Sequence, residues 1–192
     1  MRSTPALPEG YTEVYAIDLQ KNKKMALLVN VLALVIAAAM VIPMLFVVPI
    51  SHLFETEQGI GIYFIRLGVM VLSMVAYMVL HELVHGIAMK ICGTKKVKYG
   101  FTGMYAFAGS DDYYAKGPYI FIALAPVVLW GIVLAVINVF VPLSWFWIVY
   151  FIQIINCAGA AGDLFVTVRF LCLPKDVWIK DHGVGMTVYG KE

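Results

Sequence analysis

Charge is scarce in this chain. Lys, Arg, Asp and Glu make up 14% of its 192 residues, against roughly a quarter in an ordinary soluble domain. Hydrophobic residues reach 62% and the mean hydropathy is +0.87, so the composition excludes a soluble globular protein and points to an integral membrane protein. Cysteine is scarce too: Cys92, Cys157 and Cys172 are odd in number and show no C-x-x-C spacing, so they are read as free residues rather than a disulfide framework. A net charge of +2 offers no surface for nucleic acid, and the chain has no internal repeat or low-complexity tract.

What is abundant is uncharged apolar sequence, in runs long enough to cross a bilayer. Four spans are expected, over about residues 25–50, 61–89, 119–141 and 145–172, the last interrupted by Asp163 before Arg169. The mostly polar residues 1–24 precede a first run far longer than a signal-peptide core, so that run is expected to stay in the mature protein. The chain therefore divides into an N-terminal segment (1–24), a four-span membrane domain (25–173) and a C-terminal tail (174–192).

Basic residues set the orientation. Arg2, Lys21, Lys23 and Lys24, then Lys90, Lys95, Lys96, Lys98 and Lys116, and finally Arg169, Lys175, Lys180 and Lys191 fall on one side of this scheme. Arg66 alone falls at the other end, where it is expected to snorkel; both termini are expected in the cytoplasm.

The connections carry strand signals. "GYTEVYAIDLQKN" alternates loosely, as a short strand or an interfacial segment would. In "GTKKVKYGFTGMYAFAGSDDYYAKG" the alternation of Val97, Tyr99 and Phe101 with Lys96, Lys98 and Gly100 predicts a hairpin at the cytoplasmic face. The tail reads as two short strands around Asp181, His182 and Gly183. Pro126 within "LAP" is expected to kink the third span, and Pro174 to follow the end of the fourth. The expected fold class is an all-α integral membrane protein of four transmembrane helices with short β-hairpin segments on the cytoplasmic side.

Against this background "YMVLHELVHGIAMKICG" places two histidines and a glutamate inside a span. His81 and His85 stand at i and i+4, on one face of a helix, where they can bind one metal ion. Glu82 projects beside them, towards a metal-bound water. Neutral imidazoles suit zinc, and a catalytic zinc site takes a third protein ligand and leaves one position for water. With 4 His in the chain, chance supplies such an H-E-x-x-H roughly two times in a thousand. The bland alternative is that both histidines only bond neighbouring helices. However, three ionisable groups in one span are expensive without a metal to hold them.

Depth gives an independent check on the third ligand. With Lys90 at the membrane edge and a rise of ~1.5 Å per residue, His85 lies roughly 8 Å and His81 roughly 14 Å below it. Asp163, six residues before Arg169 on a parallel span, lies roughly 9 Å below the same surface. Its alternative role is a counter-charge for Arg169 or Lys90. His182 in the tail is a weaker candidate ligand, and His52 falls on the wrong side. The small residues of "NCAGAAGDLF" allow close helix packing or local unwinding of the fourth span. Asn156, nearer mid-membrane, can polarise a substrate carbonyl or simply bond another helix.

H-E-x-x-H in one span, a hairpin-containing loop, a middle span, and then Asn156 and Asp163 in a further span resemble the site-2 protease type of intramembrane zinc metalloprotease. Within that group "HELVHG", "ALAP", "NCAGAAGD" and "DHGVGMTVY" are similar to the small, mostly bacterial putative zincin peptidases, over roughly Gly61 to Tyr189. The resemblance implies a three-helix core preceded by one added helix, and zinc held by His81, His85 and Asp163. It also implies Glu82 as general base, Asn156 near the substrate, and a membrane protein or peptide substrate cleaved in a bacterial cytoplasmic membrane. The chain departs from the pattern in reading Gly162-Asp163-Leu164 without nearby proline, where site-2 proteases carry L-D-G and prolines. Two other classes fit the residues alone: a non-catalytic zinc-binding membrane protein, and a channel or transporter component with an intramembrane His and Asp ion path.

Overall fold

The computed structural model describes residues 3–18, 21–103, 106–183 and 185–191; Arg2, Met104, Tyr105 and Val184, used in the charge, hairpin and tail readings above, lie outside the described residues. In chain order the elements are β1 (Ser3–Thr4), β2 (Tyr11–Asp18), α1 (Lys23–Val47), a 3-10 turn (Ile50–Phe54) and α2 (Ile60–Ile91). They continue with β3 (Lys98–Phe101), β4 (Ala106–Gly109), β5 (Tyr113–Ala115), α3 (Lys116–Phe140), α4 (Leu143–Gly159), α5 (Ala161–Leu171), β6 (Val177–Asp181) and β7 (Gly185–Lys191).

α1, α2, α3 and the α4–α5 stretch are each long and apolar enough to cross a membrane. α1 buries none of its residues, and Phe46 and Phe140 are 87% and 81% exposed. Helices that are apolar on every side and still uncovered by protein call for an apolar solvent.

The chain forms two compact units. One gathers the N-terminal segment to Val29, His81–Pro126 and the chain from Gly162 onward; the other comprises Asn30–Leu80 and Val127–Ala161.

The first unit contains more β-structure than the expected all-α class with hairpin segments. Its antiparallel sheet has five strands in the order β1-β5-β6-β7-β2. β6 and β7 form the tail hairpin, with Ile179 opposite Val188, and β2 pairs with β7 through Ile17 opposite Met186. Alternation drives this pairing: Val177 and Ile179 turn inward along β6 and pack with Ile17 and Val188 against Met89, Ile122 and Phe170 from the helices. β3 and β4 form a separate hairpin, with Tyr99 opposite Ala108, where alternation predicts one.

In the second unit Arg66 does not snorkel. It is 2% exposed, and its guanidinium donates to the Ser144 carbonyl at 3.0 Å and to the Glu55 carbonyl. A buried cation with two carbonyl acceptors is held more firmly than one reaching for an interface, because those carbonyls would otherwise lack donors. Trp147 adds a bond from Nε1 to the Pro49 carbonyl at 3.1 Å.

The fourth span is broken rather than continuous. α4 ends at Gly159, Ala160 leaves helical geometry at φ −84° and ψ 16°, and α5 starts at Ala161. The small residues around the break permit it. It puts Asp163 in the first turn of a new helix, where the positive end of the helix dipole favours a carboxylate.

Candidate metal centre

The C-terminal third of α2 carries His81 and His85 one turn apart, with ring centroids 4.8 Å from each other. α5 brings Asp163 to them. Its Oδ2 lies 3.5 Å from His81 Nε2 and 3.6 Å from His85 Nε2, and the three candidate ligand atoms all fall within 4.8 Å of one another. Ligand atoms about 2.0–2.2 Å from a tetrahedral zinc stand about 3.3–3.6 Å apart, so the two contacts to Asp163 have the spacing that one shared ion requires. Both imidazoles are buried. Among the described residues no ion pair joins Asp163 to Arg169 or Lys90, so its counter-charge alternative is not the one adopted.

His85 shows a further mark of a ligand. Its Nδ1 bonds the Ile122 carbonyl at 2.9 Å. A carbonyl can only accept, so Nδ1 carries a proton, and the neutral imidazole in this tautomer would offer the Nε2 lone pair to a metal. The donor set of two imidazoles and one carboxylate, with the tautomer of one fixed by an outer partner, fits zinc.

Glu82 lies outside the group of three, as a base rather than a ligand would. Its carboxylate faces the Ala108 backbone N–H in β4 and stands within electrostatic reach of His81, His85 and Asp163. β3 reaches α2 beside the same histidines. A Cβ at Gly86 would lie 1.9 Å from the Tyr99 hydroxyl, so only glycine lets that ring cross the helix here. At the far side of the hairpin Phe107 covers Gly183, whose φ of +86° also favours glycine.

Asn156 belongs to the second unit and is fully buried. Its Oδ1 accepts from the Tyr77 hydroxyl at 2.7 Å, and its Nδ2 donates to the Val127 carbonyl at 3.1 Å. Both ends of the amide thus join α2, α3 and α4, the helix-bonding alternative already visible in the sequence. His182 is exposed, with Nε2 3.4 Å from the Thr187 hydroxyl, and His52 pairs with Glu55; neither joins the three-residue group.

Sequence reasoning missed a polar pair near this centre. Asp181, at the end of β6, accepts from the Tyr119 hydroxyl and from the Gly183 N–H, both at 2.7 Å. Burial pushes its carboxyl above the usual carboxylate range, and Asp163 adds to the rise while His85 opposes it. No signal in the sequence pairs a tail strand with the third helix, because only the sheet brings them together.

The family model described as "Putative zincin peptidase" matches residues 74–178, more than half of the 192-residue chain. No curated protein and no solved structure matches it. The matched stretch contains His81, Glu82, His85, Asn156 and Asp163, and with them the whole candidate centre. A zinc-type donor set and that match lead to one assignment: the chain belongs to the putative zincin peptidase family, whose description implies a zinc metallopeptidase.

Proposed function

We propose that this protein is an intramembrane zinc metalloprotease of the site-2 protease type, hydrolysing peptide bonds of membrane-associated substrates. The observation that carries the reading is the convergence of His81 Nε2, His85 Nε2 and Asp163 Oδ2 within helices apolar enough for a bilayer. Zinc held there supplies Lewis acidity, acidifying water and polarising a carbonyl. Glu82 takes a proton from the attacking water and delivers it to the leaving amine, while the Ala108 N–H fixes the direction of its carboxylate.

The same N–H supports a mode of substrate binding. With the Ala108 amide facing Glu82, this reading assigns the backbone polar groups of residues 106 and 108, two apart in the strand repeat, to the β4 edge away from β3. An unwound substrate segment adds to that edge as a strand, ending beside the base. Asn156, bonded between helices in the second unit, serves to hold them rather than to touch substrate in this reading.

The test compares membrane-protein termini in cells carrying wild type or Glu82→Gln, with zinc measured in the purified proteins. Retained stoichiometric zinc with cleavage lowered on the order of 10²–10⁴-fold is the expected result. Unchanged termini with zinc retained favour a non-catalytic zinc protein. Wild-type protein without tightly held zinc favours an ion path through the histidines and Asp163.

A further inference from the structure

We propose that Pro126 is a positioning residue for the metal ligand His85, acting by leaving the Ile122 carbonyl without its helical partner. In an α-helix the carbonyl of residue 122 would accept the N–H of residue 126. Residue 126 of α3 is proline, which has none. That carbonyl instead accepts His85 Nδ1 at 2.9 Å. Ile122 is 1% exposed and Pro126 is fully buried, so water is excluded as a substitute partner. An unbonded carbonyl in such a place is strongly unfavourable, which ties the two features to each other. Proline removes a donor from α3, and the imidazole on α2 restores one. The ring of His85 is thereby fixed in rotation and in tautomer, with Nε2 3.6 Å from Asp163 Oδ2.

With alanine at 126, a backbone N–H competes for the same carbonyl, and α3 can close its hydrogen-bond ladder across this turn. His85 then shares or loses its outer partner. Outer partners of metal-bound histidines typically contribute 10–100-fold in affinity; because a carbonyl can still accept two bonds, the low end of that range is expected.

This assignment rests on the metal site described above. Its test uses the full-length protein in detergent, with zinc affinity measured by chelator competition and the ligand field read from the absorption spectrum of the cobalt-substituted form. Pro126→Ala is compared with Pro126→lactic acid, which has the side chain of alanine but a backbone ester in place of the N–H. We expect Pro126→Ala to bind zinc about tenfold more weakly with a shifted cobalt spectrum, and the ester variant to behave as wild type. Failure to fold is not expected, since alanine suits a helix better than proline. Wild-type affinity in Pro126→Ala, or an ester variant impaired as much as the alanine one, overturns the role of Pro126 and leaves the metal site standing. Wild-type protein that binds no stoichiometric zinc overturns both.

Discussion

Single residues in this molecule are recognisable by what they do with protons. His81, Glu82 and His85 stand out because three ionisable groups within about one turn of a lipid-soluble span are expensive without a function to hold them there. Counting residues from the basic edges of two parallel helices puts Asp163 at the level of the histidines, while leaving open a counter-charge role. Asp181 was not legible in this way, since its partners come from α3 and its own turn only after the sheet has formed. It has a definite consequence for stability. Burial raises its carboxyl, so the folded chain takes up this proton more readily than the unfolded chain. The favourable contribution is complete below the unfolded value, about 3.9, and is lost as pH rises through the folded one. Asp181→Asn, which can still accept from Gly183 or Tyr119, removes that loss. Thermal unfolding in detergent with chelator present should show the two proteins alike near pH 4, and the variant gaining on wild type as pH approaches neutrality. A gap that widens in the opposite sense contradicts a raised carboxyl at this position.

Elements were legible where a local rule governs them and opaque where pairing is distant. β3, β4, β6 and β7 follow from alternation and glycine turns, and β2 was one of two readings of its segment. By contrast, β1 and β5 are too short to show a period, and the joining of β2 to β7 links opposite ends of the chain. The break at Ala160 was foreshadowed by small residues, but its use, giving Asp163 a helix N-terminus, needed the structure. Docking of the β3–β4 hairpin on α2 also escaped the sequence, because Gly86 reads simply as a small residue within a helix. It makes a prediction whose sign depends on a second residue. In the wild type, Gly86→Ala must displace the Tyr99 ring, and the protein should melt at a lower temperature. In a Tyr99→Ala background the same change meets no ring, and only the helical advantage of alanine over glycine remains, about 0.5–1 kcal/mol in favour of folding. Equal effects in both backgrounds, measured by thermal unfolding, would separate the hairpin from this helix.

At the scale of the whole molecule, the scarcity of charge noted first becomes a statement about access. Lys90 lies in the last turn of α2, Lys116 begins α3 and Arg169 lies in the last turn of α5, all within the unit that contains His81, His85 and Asp163. The Lys116 ammonium donates to the Leu171 carbonyl at 3.0 Å and the Leu173 carbonyl at 2.6 Å, tying the start of α3 to the end of α5 and satisfying carbonyls that a helix terminus leaves open. Under the orientation proposed from the positive-inside rule, basic helix ends gathered in this way face the cytoplasm. The candidate ligands then lie roughly 8–14 Å below that surface, within about half of a ~30 Å hydrocarbon core. A chelator that cannot cross membranes should therefore remove zinc many times faster from vesicles exposing their cytoplasmic face than from vesicles of opposite sidedness. Metal retained in each preparation over time gives the two rates directly. Faster loss from the opposite face would reverse the topology while leaving the ligand set intact, and equal slow loss from both would mean that the site is sealed from either aqueous phase until a substrate opens it.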